Sequence, residues 1–171
     1  AFPPLAPGAL HLWWFDADGA GCLRDALFAC LSPDELARSR AYRAERERRR
    51  FVGRRGALRA LLGRYAGIAP AEVGFSYGSR GKPSLARGKG NEISFSLARS
   101  GGAVLYAVTT DVRVGVDLER LRRVPEMGDI MARCAEMERR QWMALRLDER
   151  LDAFFRCWTL KEAYLKATGE G

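Results

Sequence analysis

Val112-Arg113-Val114-Gly115-Val116-Asp117-Leu118-Glu119 alternates four aliphatic residues with four others. Such a period of two predicts a β-strand whose apolar face enters a core and whose other face carries Asp117 and Glu119 side by side. Gly115 leaves open space next to them. Two carboxylates that close repel each other unless a cation or protons compensate. Taken alone, the pair reads more simply as a solvated strand end, so its meaning depends on what the rest of the chain brings to it.

Downstream, Leu151 to Ala167 reads as a closing helix, with Phe154, Trp158 and Leu165 as its apolar face and Gly169 suited to its end. Within it, Glu162 and Lys166 are four residues apart and share one helical face beside Trp158. An ordinary surface ion pair accounts for that spacing as well. Upstream, Val73 to Tyr77, Ile93 to Leu97 and Ala103 to Thr109 are β-rich, and a Gly- and base-rich loop, Gly78 to Pro83, separates the first two. His11 to Phe15 predicts an opening strand, ended by the turn-formers from Asp16 to Gly21.

Ser32-Pro33-Asp34-Glu35 has the form of a capped helix start, predicting a helix from about Pro33 into the forties. Between Arg38 and Arg64 stand 11 arginines against Glu45 and Glu47. Phe51, Leu58, Leu61, Leu62 and Tyr65 recur there at helical spacing, predicting an amphipathic helix whose other faces carry mostly solvated arginines. The chain of 171 residues has a net charge of +8, and this one segment holds the whole excess.

With 47% hydrophobic and 29% charged residues the composition is that of a globular protein with a real core. No apolar run approaches a membrane span, and Ala1-Phe2-Pro3-Pro4 lacks a signal-peptide pattern, so a cytoplasmic protein with no membrane partner is expected. Cys22, Cys30, Cys134 and Cys157 form no C-x-x-C pair and His11 is the only histidine, which argues against a Cys/His zinc site and a Ser/His triad. Chemistry then rests on carboxylates, lysines and arginines, with a hard metal ion on oxygen ligands.

In order, the Gly81-Lys82-Pro83 loop, Phe95-Ser96-Leu97-Ala98-Arg99-Ser100-Gly101, Gly115-Val116-Asp117-Leu118-Glu119 and Trp158-Thr159-Leu160-Lys161-Glu162-Ala163-x-x-Lys166 resemble the 4'-phosphopantetheinyl transferases of the larger, surfactin-activating type. The resemblance runs over nearly the whole chain, and its two strongest pieces are G-[IV]-D-[IL]-E and W-[ST]-x-K-E-[AS]-x-x-K. It implies an α+β fold of two pseudo-symmetric halves, each a small antiparallel sheet with a long helix packed on it. The first half, residues 1–110, would hold the Arg-rich helix and coenzyme A loops, and the second, 111–171, the acidic site. Both halves in one chain imply a monomer.

The activity implied is transfer of the phosphopantetheine arm of coenzyme A to a serine of an acyl or peptidyl carrier protein, releasing 3',5'-ADP. By resemblance Asp117, Glu119 and Glu162 hold Mg2+, Glu162 takes the serine proton and Lys166 steadies the leaving phosphate. Coenzyme A would be bound by Arg50, Gly81, Lys82, Pro83, Arg99, Asp117 and Lys166. The family's usual Ser-His-Ser reads Ala98-Arg99-Ser100 here; Arg99 keeps a phosphate-binding charge, whereas Ala98 lacks the hydroxyl. Family members continue beyond the last helix with further strands, while this sequence stops at Gly171, and Met131 to Glu136 lacks the aromatic segment expected there. The arginine cluster suits an acidic carrier protein. A basic nucleic-acid-binding protein without catalysis is the rival reading, although no nucleic-acid module is recognisable and the cluster's aromatic residues fall on its apolar face. A third reading is a relative that binds coenzyme A without transferring it.

Overall fold

The computed structural model describes residues 2–78, 80–86 and 92–170. Ser79, inside the predicted base-rich loop, and Gly171 lie outside the described residues. The first part of the chain builds a three-stranded antiparallel sheet in the order β1-β5-β4 from β1 (Leu10–Asp16), β4 (Ile93–Ser100) and β5 (Ala103–Thr110). A small antiparallel hairpin pairs β2 (Phe75–Tyr77) with β3 (Pro83–Leu85). In the sheet, Trp13 lies opposite Tyr106 and Tyr106 opposite Leu97, so one face presents a row of large rings and aliphatics.

That face is covered by α3 (Glu45–Ala66). Its Leu58, Leu61 and Leu62 are buried with Val73, Ile93, Phe95, Val104, Tyr106 and Val108 in one core, as the helical spacing predicts. Each such side chain contributes about 1.5–3 kcal/mol by leaving water. Helix α2 (Pro33–Arg40) begins at the expected capping box, with Ser32 N donating to Glu35 Oε2 at 3.2 Å, but ends at Arg40 rather than continuing into the forties. An additional short helix, α1 (Arg24–Ala29), crosses α3 at Gly56, where a Cβ would lie 2.3 Å from Leu27 O. Six residues are too few for periodicity to announce a helix, so α1 escapes the sequence pattern.

Not all the arginines of α3 are solvated. Arg59 and Glu35 are buried together, their side chains 5% exposed, with Arg59 Nε 2.5 Å from Glu35 Oε2. Arg59 Nη1 also donates to the carbonyls of Pro70, Ala71 and Val73. Arg55 Nε donates to the other oxygen of Glu35 at 2.6 Å.

Beyond Asp111, which turns the chain out of β5 with φ +63°, the architecture is helical: α4 (Met127–Ala132), α5 (Glu136–Ala144) and α6 (Arg150–Thr168). Met131, Phe154 and Phe155 form their core. The α+β class is therefore as expected. Val112–Glu119 departs from its predicted role as a strand, because it carries no ladder among the described residues. It lies instead between the outer face of β4 and α6. On one side Ser96 Oγ accepts from Val116 N at 3.1 Å and Ser100 Oγ accepts from Arg120 N at 2.9 Å. On the other, a Cβ on Gly115 would meet Ala163 O at 1.9 Å and Ala167 N at 2.5 Å, so only glycine lets the segment lie flat on α6.

Candidate active site

The segment and α6 bring the predicted chemistry together at one point. Lys166 Nζ lies 2.6 Å from Asp117 Oδ1. The Asp117 side chain is 9% exposed, and its second oxygen, Oδ2, is buried with no hydrogen-bond partner among the described residues. A buried carboxylate oxygen without a donor is costly, a setting that would suit a cation. Glu119, two residues further along the segment, accepts from Ser100 Oγ of β4 at 3.2 Å. Glu162, half-buried one turn before Lys166, makes no hydrogen bond or ion pair among the described residues. The three carboxylates do not gather their oxygens within 4.8 Å of one another. Lys166 supplies a positive charge to Asp117 directly. The donor set is all oxygen, as Mg2+ requires, and the orphaned Oδ2 fits it.

Next to this point opens a cavity of about 420 Å³ between α3, the inner face of β4, the Gly78–Pro83 loop and the end of α6. Gly81, Lys82, Pro83, Arg99 and Lys166, five of the residues singled out in the sequence, line it. Its floor is apolar, with Phe51, Leu58, Phe95 and Leu97, while Arg38, Arg54, Arg55 and Arg80 add charge to its walls. Burial, and then the like charge of Arg99, press the Arg54 guanidinium below its ordinary pKa. Neither Arg54 nor Arg99 pairs with a carboxylate of the described residues, whereas the neighbouring Arg50 and Arg55 do. Arg54, half-buried, and Arg99, exposed at the cavity mouth, are two like charges facing one cavity, an arrangement that suits an anion.

Lys82 has a double setting. Its Nζ donates to Val114 O at 3.1 Å and also to Lys166 O, and burial, followed by the charge of Arg113, lowers its pKa. Arg80 donates to Glu170 O and Arg113 Nη1 to Thr168 O at 3.3 Å. These three cations gather at the C-terminal carbonyls of α6, the negative end of its dipole. The loop thus docks the end of α6, and Lys82 keeps one of its three protons free of these two bonds.

Arg50 is not brought to the cavity. Its guanidinium is held by Asp18, at 2.8 Å from Nε and 2.7 Å from Nη2, and by Glu47 at 2.9 Å. Arg54, one helical turn further, occupies the cavity wall instead. Sequence spacing alone offered no way to choose between them, since each is one of a run of arginines. Ala98 sits on the same face of β4 as Ser96 and Ser100, opposite to Arg99, so its missing hydroxyl does not face the anion site. Ser96 and Ser100 stand in the motif stretch read from the sequence, but their part in positioning the acidic segment carried no signal there.

A protein from Nostoc sp., 4'-phosphopantetheinyl transferase HetI, is 40% identical over 169 residues, covering 98% of this chain and 71% of its own. The chain belongs to the 4'-phosphopantetheinyl transferase superfamily. Residues 113–171, which carry Asp117, Glu119, Glu162 and Lys166, match the profile of that superfamily. A human L-aminoadipate-semialdehyde dehydrogenase-phosphopantetheinyl transferase is 27% identical over 153 residues, and this chain spans 49% of its length. A holo-(acyl-carrier-protein) synthase from Bacillus anthracis, solved with CoA (3',5'-ADP), overlays with a TM-score of 0.39 at 14% identity, over 58% of this chain and 91% of that one. Among superfamily members the similarity to HetI extends across both the cavity and the acidic segment.

Proposed function

We propose that the protein transfers the 4'-phosphopantetheine arm of coenzyme A to a serine hydroxyl of an acyl or peptidyl carrier protein, releasing 3',5'-ADP. The observation that carries this reading is the anion cavity of Arg54 and Arg99 opening beside the Lys166–Asp117 pair. Coenzyme A needs both: cationic contacts for its phosphates, and a centre where one bond of its pyrophosphate is exchanged. In the cavity, Arg54, Arg99 and the free proton of Lys82 bind phosphate oxygens, while Phe51, Phe95 and Leu97 give its apolar portions a dry surface.

Asp117, Glu119 and Glu162 would hold Mg2+. When bound, that ion neutralises pyrophosphate charge as it develops in the transition state. Glu162 takes the proton of the carrier serine as its Oγ forms a bond to the β-phosphorus. The bond from that phosphorus to the bridging oxygen breaks, and the charge of Lys166 meets the departing phosphate of 3',5'-ADP. Lys166 reaches both partners because it stands at the edge shared by the cavity and the carboxylates.

In this reading the chain is a monomer of the larger type, with both halves of the site in one polypeptide, and it acts in the cytoplasm. Among the described residues no helix is long and apolar enough to cross a membrane. The exposed arginines of α3 attract an acidic carrier. A nucleic-acid role is less well supported, since Phe51, the aromatic ring within the arginine run of α3, is buried in the core and offers bases no surface to stack on.

Incubating an apo acyl carrier protein with the protein, coenzyme A and Mg2+, and weighing the carrier by intact-mass spectrometry, tests the reading. The expected result is a gain of one phosphopantetheine that disappears on chelation of the metal. No gain across fatty-acid, polyketide and peptide carriers overturns it.

A further inference from the structure

Sequence spacing argued against a cysteine-based metal site, yet the fold assembles one on the far side of α6. We propose that Cys134, Glu138 and Cys157 form a binding site for a thiophilic divalent cation, Zn2+ being the natural occupant. Their ligand atoms, two thiol sulfurs and a carboxylate oxygen, all lie within 4.8 Å of one another. They come from three places: Cys134 follows α4, Glu138 is in the first turn of α5, and Cys157 is in the middle of α6. In a tetrahedral site with metal–sulfur bonds near 2.3 Å the two sulfurs stand roughly 3.8 Å apart, a separation inside the 4.8 Å within which these ligand atoms already lie.

Three features make this more than a chance meeting of polar side chains. Both cysteines are free thiols and half-buried, and Cys134 packs against the Met131–Phe154–Phe155 core. The carboxylate is oriented from behind: Glu138 Oε2 accepts from Ala135 N at 3.0 Å and pairs with Lys161 Nζ at 2.8 Å, while Oε1 makes no hydrogen bond among the described residues. A ligating carboxylate is ordinarily held by such outer partners. The charge balance also closes. Two thiolates and a carboxylate with a divalent ion sum to −1, and Lys161, already at the site, brings the sum to zero. The set has two thiolates and one carboxylate and leaves a fourth position for water. Thiolates select a softer cation than the all-oxygen set of Asp117, Glu119 and Glu162.

The site is separate from the transfer centre. Cys157 and Lys166 are nine residues apart, about 2.5 helical turns, and so lie on opposite faces of α6. A bound ion would staple α5 to the helix that carries Glu162 and Lys166 without touching either.

Titration of the reduced protein with Cd2+, followed by the thiolate-to-metal charge-transfer absorption in the ultraviolet, reads the site without any activity measurement. One Cd2+ per chain is expected, competed by Zn2+. Cys134→Ser and Cys157→Ser each weaken binding by about tenfold or more and reduce the band, and Glu138→Gln weakens binding while keeping the band. Cys22→Ser and Cys30→Ser leave both unchanged. Zn2+ should raise the melting temperature of the unsubstituted protein and not that of the Cys134→Ser/Cys157→Ser variant, whose own metal-free melt verifies that it is folded. A band that survives in this double variant, the absence of a band in the unsubstituted protein, or a Cys134–Cys157 disulfide that persists in reductant overturns the proposal.

Discussion

Lys166 Nζ lies 2.6 Å from one oxygen of Asp117, and the other oxygen of Asp117 is buried without a partner among the described residues. The pair joins α6 to the segment that lies across β4, and it is half satisfied. Lys166 offsets the charge of Asp117 but leaves its second oxygen without a donor among the described residues.

Replacing Lys166 by Ala removes the cation set to meet the leaving phosphate. The turnover number for carrier modification should fall by about 10²–10³-fold, the range for loss of one aimed electrostatic group. Asp117→Ala should abolish transfer. Rates of holo-carrier formation, measured on variants with unchanged circular dichroism, check both; a Lys166→Ala turnover within about threefold of the parent removes Lys166 from the chemistry.

Arg54 and Arg50 separate the cavity from its surroundings. Arg54→Ala should weaken coenzyme A binding by about tenfold, or about 1.4 kcal/mol, because a desolvated guanidinium no longer meets phosphate. Arg50→Ala should leave that affinity within about twofold, since Asp18 and Glu47 already hold its guanidinium. Calorimetric titration with coenzyme A distinguishes them, and the opposite ranking would restore Arg50 to the binding site.

Glu35 is the buried partner of Arg59 and Arg55. Burial pushes its carboxyl up, but the hydrogen bond and charge of Arg59 and Arg55 outweigh that and hold it below its usual pKa. A carboxyl lowered in the folded state stabilises fully above its unfolded value, about 4.3, and that contribution is lost as pH falls through the lower folded value. Glu35→Gln leaves Arg59 buried without a counter-charge and should cost about 3–5 kcal/mol at neutral pH. Urea unfolding at pH 7 and at successively lower pH values should show the parent losing stability below about pH 4.3 more steeply than the variant. Parallel pH profiles would contradict the role given to Glu35.

Much of the fold was legible in one dimension because its signals are local. The Ser32 capping box, the spacing of Phe51, Leu58, Leu61 and Leu62, and the helix around Phe154 and Trp158 each depend on neighbours within a few residues. The same holds for the candidate site where it is carried by motifs: Lys82, Arg99, Asp117 and Lys166 could be named before their meeting was known. Arg54 could not, because an arginine in a run of arginines declares its face only when the helix is docked on a sheet.

The sequence by itself determined the two long helices, the extended segments, and which residue types are available for phosphate and metal chemistry, while the short helices α1, α4 and α5 left no periodic signal. Tertiary structure alone decided the rest. Alternation makes Val112–Glu119 extended, but a ladder needs a partner strand, and this segment found Ser96, Ser100 and the backbone of α6 instead. Glu35 and Arg59 lie 24 residues apart, and Cys134 and Cys157 are separated by a whole helix. Whether such groups meet depends on which faces pack together, a consequence of burying apolar surface over the whole chain that no local pattern records.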